Sequence, residues 1–187
     1  MALPATFTTL DISGKFQQNK SLSDDMDEIL SLQGVGWVIR KALKAANGSL
    51  TIKHTTDANG VEQLVIETSV GGGVAGGTEA VPLDWQERAK ADGPMGPTIG
   101  KGRKIAIADV TEAYLKEGWV VDANQGGVFN IVMKSDTAKT GKSWTNEQIW
   151  GIQEIDGVKR FVRRIHFVGS KGEKINARVV FDYLGSA

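Results

Sequence analysis

Between Glu147 and Tyr183, apolar and polar residues alternate with a period of two, and Asp156-Gly157 interrupts the run with the two-residue signature of a tight hairpin. That period sends successive side chains to opposite faces of a strand, so a helix cannot gather them on one side. Turning at Asp156-Gly157 predicts the pairs Ile155–Val158, Ile152–Phe161 and Trp150–Arg163. A second turn near residues 169–173 predicts Phe167–Ile175, Arg163–Val179 and Phe161–Phe181. One face then carries Trp150, Ile152, Phe161, Phe167, Phe181 and, near its end, Tyr183. The other carries Arg160 across from Asp182, with Arg164, His166, Asn176 and Arg178. Since a slip of one residue would exchange the two faces completely, the aromatic face is predicted to be the interior.

Upstream, the elements follow the same logic. Ile12 to Asn19 reads as a first strand. Ser23-Asp24-Asp25 starts a helix with a hydroxyl cap and carboxylates at its positive end, and Gly34 ends it. Val35 to Ala46 repeats at helical spacing, and Asn47-Gly48 stops it. From residue 49 the period drops to two. Residues 49–56 and 61–68 are predicted strands around a tight turn at Asp57 to Gly60, which pairs His54 with Gln63, Ile52 with Val65 and Leu50 with Glu67. Residues 78–85 form a further strand, and Pro82 marks an edge or bulge. The Gly- and Pro-rich stretch 88–102 reads as a loop. Asp109 caps a short helix over 110–116 that closes at Gly118, and 128–134 is another strand. A strand, two helices and then a meander of hairpins predict one all-β domain over residues 1–187: a closed antiparallel barrel with a helix-turn-helix lid after the first strand. No helix–strand alternation supports a parallel sheet.

The start of the chain carries a family's wording. Gly14 with Phe16, then Ser21 to Asp24 and Asp27-Glu28-Ile29-Leu30, then Gly34-Val35-Gly36-Trp37 and Arg40-Lys41, resemble the intracellular lipid-binding (fatty-acid-binding-protein-like) branch of the lipocalin-like calycins. The resemblance implies a barrel around a hydrophobic ligand. The family's carboxylate-binding Arg-x-Tyr on the last strand is missing, because Arg178 and Tyr183 are five residues apart and point to opposite faces. The chain also exceeds the family's usual length, mainly over 86–127. In length and in the wording of its start it is most similar to small fungal lipocalin-like proteins, a group that implies carriers or cofactor-free cyclases of secondary metabolism.

Lys plus Arg equals Asp plus Glu at 22 each, so nothing in the charge draws the chain to nucleic acid or an anionic membrane. There are no cysteines, and the two histidines, His54 and His166, are predicted on opposite faces, so neither thiol chemistry nor a metal site is expected. Neither a secretory leader nor a membrane-spanning run is read, so the expectation is a cytoplasmic protein that needs no cofactor. Gly71 to Gly76 spells G-x-G-x-x-G, but no helix follows, and it is not read as a dinucleotide site.

The interior is unusually supplied with polar groups. Arg163 and Gln148 fall on the aromatic face, and a buried guanidinium requires a partner: a core carboxylate such as Glu67, ordered water or a ligand oxygen. Arg163, His54 and Tyr183 are the candidate catalytic residues. Trp37, Gln63, Glu67, Gln148, Trp150, Phe161 and Phe181 are the candidate ligand contacts, with Trp37 under the lid near the entrance. Two readings follow: a cofactor-independent isomerase or cyclase acting on a small hydrophobic or aromatic metabolite, or a non-catalytic carrier of a lipid-like ligand. The supply of titratable groups favours the first.

Overall fold

The computed structural model of the chain describes residues 1–69 and 76–187. Ten antiparallel strands form one strongly curled sheet: β1 (Gly14–Gln18), β2 (Ser49–Thr56), β3 (Glu62–Ser69), β4 (Thr78–Pro82), β5 (Arg88–Lys90), β6 (Thr98–Ile105), β7 (Val128–Ser135), β8 (Thr145–Ile155), β9 (Val158–Val168) and β10 (Lys174–Gly185). The order across the sheet is β4-β3-β2-β1-β10-β9-β8-β7-β6-β5. The glycine-rich motif at 71–76 lies outside the described residues, except for Gly76.

The C-terminal hairpins pair in the predicted register, Trp150 with Arg163 and Phe161 with Phe181. Asp156 (φ 52°) and Gly157 (φ 73°) turn between β8 and β9 with positive φ at both positions, the twist a two-residue hairpin needs. Phe161, Phe167, Phe16 and Ile152 are fully buried on the inner face, with Trp150 and Phe181 nearly so.

The β2–β3 hairpin departs from expectation by one residue. Asp57 Oδ1 accepts from the backbone N–H of Asn59 (2.8 Å) and Val61 (2.9 Å), and Asp57 N–H donates to Val61 O (2.8 Å), so the turn absorbs Val61. His54 therefore pairs with Leu64, Ile52 with Ile66 and Leu50 with Thr68. Leu64 and Ile66 go inside, and Gln63 and Glu67 go outside, where Glu67 meets Lys53 at 2.9 Å.

Other boundaries shift too. Helix α1 spans Asp27–Leu32 and α2 spans Trp37–Ala45. Ser23 caps neither helix; its hydroxyl donates to Asn19 O (2.7 Å) and accepts from Val180 N–H (2.9 Å), tying the entry to β10. Residues 88–102, predicted as a loop, contain β5 and most of β6. In place of a helix over 110–116 there is a 3-10 turn at Ile107–Asp109 and a short helix α3 (Ala113–Lys116) capped by Glu112.

The long segment before β7 has a structural role that the period-two pattern hides. Val110, Leu115 and Trp119 pack on the outer face of the sheet against Val128, Ile149, Val162 and Val180, making a second core. Arg164, predicted to face solvent, is covered there: its guanidinium lies 4.0 Å from the Tyr114 ring and 3.1 Å from Glu117 Oε2. Asn124, also buried, clamps this segment to β8, donating to Ile152 O (3.0 Å) and accepting from Ile152 N–H (3.0 Å). The sheet is thus sandwiched locally between an inner aromatic core and an outer aliphatic one.

Candidate functional site

At its two ends the sheet has partnerless edges, β4 and β5. The chain just past β4 meets β6, the strand next to β5, where Asp84 bridges Arg103 and Trp85 N–H donates to Gly102 O (2.8 Å). Gly102 permits this approach, since a Cβ there would stand 2.8 Å from Val81 Cγ1. Behind these edges lies a cavity of about 450 Å³, within the range of roughly 300–1,000 Å³ usual for small-molecule sites. Ile66, Val81, Ile131 and Met133 form its apolar walls, and Gln148, Trp150 and Arg163 its polar depth. No residue of α1 or α2 lines it; a second cleft of about 470 Å³ lies under those helices, with Met26, Leu30 and Leu43 between the ion pairs Asp25–Lys44 and Asp27–Arg40.

Arg163 is the unusual group. Its guanidinium lies 3.6 Å above the Trp150 ring and 5.1 Å from that of Phe181, a stacking that stabilises a cation without satisfying its N–H groups. Nε and Nη2 are sealed from solvent with no hydrogen-bond partner, and among the described residues no carboxylate lies within ion-pair distance of Arg163. Burial pulls its pKa down to about 9, opposed by the negative charge of Glu79, so the group is cationic at neutral pH. Gln148 holds the stack in place: Trp150 Nε1–H donates to Gln148 Oε1 (2.8 Å), and Gln148 Nε2 donates to Asn146 Oδ1 (3.1 Å).

The other candidates do not gather around it. His54 is on the inner face, but both ring nitrogens are occupied: Ile12 N–H donates to Nδ1 (3.4 Å), and Nε2 pairs with Glu62 (2.6 Å), which also meets Lys104 (2.7 Å). Burial lowers the pKa of His54 despite the neighbouring carboxylate. A group whose folded pKa is depressed below the unfolded 6.5 binds its proton more readily in the unfolded chain. Stability should therefore be full above about pH 6.5 and fall as pH drops through that value toward the folded pKa. Urea midpoints at pH 7.5 and 5.5 should show a smaller decrease for His54→Gln than for the wild type.

Tyr183 packs edge-on against Phe7 and Phe16, with ring centroids 5.6 Å away in each case, at a different end of the interior. Phe161 is fully buried among Phe16, Trp150 and Phe181 and does not line the cavity, nor does Phe181. Trp37, predicted under the lid, is 64% exposed at the start of α2 with Lys41 beside its ring. Gln63 and Glu67 are excluded from the interior by the register shift. One inward carboxylate escaped the sequence reading: Glu79 on β4, opposite Ile66, lines the cavity mouth. Its face becomes legible only once the β3 register is known.

A ten-stranded antiparallel sheet with two short helices after its first strand is the fold of the fatty-acid-binding proteins. A fatty-acid-binding protein of Schistosoma mansoni solved with arachidonic acid matches with a TM-score of 0.55 at 12% identity, covering 92% of this chain and 96% of that one. The fluorescent protein UnaG matches with a TM-score of 0.55 at 12% identity over 92% and 97% of the two chains. No family model matches the chain. In sequence it is similar to a probable pericyclase, scpY, of Mollisia scopiformis, at 29% identity over 98% of this chain and 95% of that protein. It is also similar to the pericyclase pydY of an Acremonium species, at 28% identity over 99% and 98% of the two.

Proposed function

We propose that the protein is a cofactor-independent cyclase of the pericyclase type, which folds a small unsaturated or ring-bearing hydrophobic metabolite in the β4–β6 cavity and isomerises it there. The observation that carries this reading is Arg163, a cation held on an aromatic face with unpartnered N–H groups at the β4–β6 cavity. The similarity to two fungal pericyclases over nearly their whole lengths supports the reaction class.

A pericyclic step forms and breaks bonds within one cyclic array, so it needs no proton shuttle and leaves the mass unchanged. Two contributions accelerate it. The walls hold the reacting termini in a near-attack conformer. Arg163, prepositioned on Trp150 by the Gln148–Trp150 hydrogen bond, donates to a carbonyl oxygen conjugated with the reacting π system and stabilises the charge that gathers there. His54 and Tyr183 have no part in this scheme. The reading includes closure of the sheet into a barrel, with α1 and α2 as a lid over the barrel rather than over this cavity, and a cytoplasmic location.

The fold also suits a carrier, a reading that the likeness to fatty-acid-binding proteins supports, and the test separates the two. Deleting the gene in the producing organism should cause an uncyclised precursor to accumulate. Purified protein, with no additive, should convert that precursor into an isomer of identical mass and single handedness. Tight binding with no conversion would favour the carrier.

The cavity itself has a separate check. Gly100 faces it from β6 with ordinary backbone conformation, and a Cβ there meets nothing nearer than Val132 O at 3.8 Å. Gly100→Leu should fill the space, weaken ligand binding more than tenfold by calorimetry, and leave the thermal midpoint unchanged or raised.

A further inference from the structure

We propose that Glu79 is a second polar anchor of this cavity, so that the substrate is an apolar unsaturated molecule carrying two groups: an acceptor oxygen read by Arg163 and an N–H or O–H donor read by Glu79. This inference rests on the reading of the cavity as the substrate site. It defines the substrate class, which that reading leaves open.

The placement comes from the sheet register. Glu79 pairs with Ile66, and Val81 with Leu64; Ile66 and Leu64 are buried on the inner face, so Glu79 shares that face and points toward the cavity. Among the described residues it is the one carboxylate lining the cavity. Its partner, Lys90 on β5, lies 3.5 Å away with both side chains about half exposed (51% and 50%), a loose pair across the gap between the edge strands. An exposed pair of this length contributes little and is readily exchanged for a better-placed donor.

Arg163 and Glu79 are opposite charges in one cavity, yet they do not form an ion pair; of the other charged residues that line it, Arg88 is paired with Asp84, Lys101 with Glu87 and Lys90 with Glu79 itself. Each is held back by its own surroundings: Arg163 by stacking on Trp150 and Phe181, Glu79 by its place on the edge strand beside Lys90. Two separated poles with apolar walls between them match a molecule whose own acceptor and donor lie in the same order. Such a molecule satisfies N–H groups that otherwise stay unpaired, and it enters with its acceptor first. A hydrocarbon lacking polar groups would leave the Arg163 N–H groups unpaired.

The test uses one polyene chain with two head groups: the methyl ester of cis-parinaric acid, which only accepts, and its primary amide, which accepts and donates. Fluorescence titration of the wild type should give about tenfold tighter binding for the amide, the effect of one hydrogen bond to a charged group. Glu79→Met should remove that preference by weakening the amide alone, and Glu79→Gln, which keeps an acceptor oxygen, should restore part of it. Arg163→Met should weaken both probes. Equal binding of the two probes by the wild type, or an equal loss of both in Glu79→Met, would overturn the assignment of Glu79 while leaving the cavity intact. If neither probe binds the wild type, the cavity reading falls and this one with it.

Discussion

Replacing Arg163 by methionine is expected to make the protein more stable and nearly inactive. The guanidinium has Nε and Nη2 sealed without partners, and its desolvation is offset only by stacking on Trp150 and Phe181. An apolar side chain of similar length removes that cost, and the thermal midpoint should rise by the equivalent of about 1–3 kcal/mol. In the proposed reaction the same change deletes the charge-stabilising donor, so the rate of isomerisation should fall by about 10²–10³. Stability and activity moving in opposite directions mark a group kept for function rather than for folding. A destabilised Arg163→Met would mean that the guanidinium has a structural partner after all. An active one would remove it from the chemistry.

Phe161→Ala should do the reverse. Its ring is fully buried between Phe16, Trp150 and Phe181, with no surface on the cavity. Truncation leaves a void in a packed aromatic cluster and should cost about 3–5 kcal/mol in chemical denaturation. At a temperature where the variant stays folded, probe affinity should change less than threefold. A large loss of affinity without a loss of stability would place Phe161 in the ligand's path.

The contrast between these two residues shows where sequence reasoning reaches and where it stops. The β8–β9–β10 register was legible because Asp156-Gly157 leaves one way to turn and because aromatics crowd one face. From that register alone, Arg163 follows as an inward cation paired with Trp150. At Asp57 to Gly60 the same method slipped by one residue. The Asp57 carboxylate closes the turn onto Val61, a side-chain bond that alternation does not encode. That slip exchanged the faces of β3, sent Gln63 and Glu67 outward, and hid Glu79 on β4, whose orientation depends on β3.

Two further features were illegible for physical reasons. Strand β6 carries Gly100 and Gly102 on its inner face, where they make room for the cavity and for Val81, and glycines in a lysine-rich stretch read as loop. The outer core is hidden because period-two alternation does not tell what covers the outer face of a sheet. Val162, Val180 and Arg164 are instead covered by the segment carrying Trp119 and Tyr114.

A crystal structure with the cyclised product bound tests the central claim most directly. An oxygen of the product should lie within hydrogen-bond distance of the Arg163 guanidinium, with the hydrocarbon against Trp150, Ile131 and Met133 and nothing in the cleft under α1 and α2. Product seated instead in that helical cleft, or in the β4–β6 cavity with Arg163 still unpartnered, would contradict it.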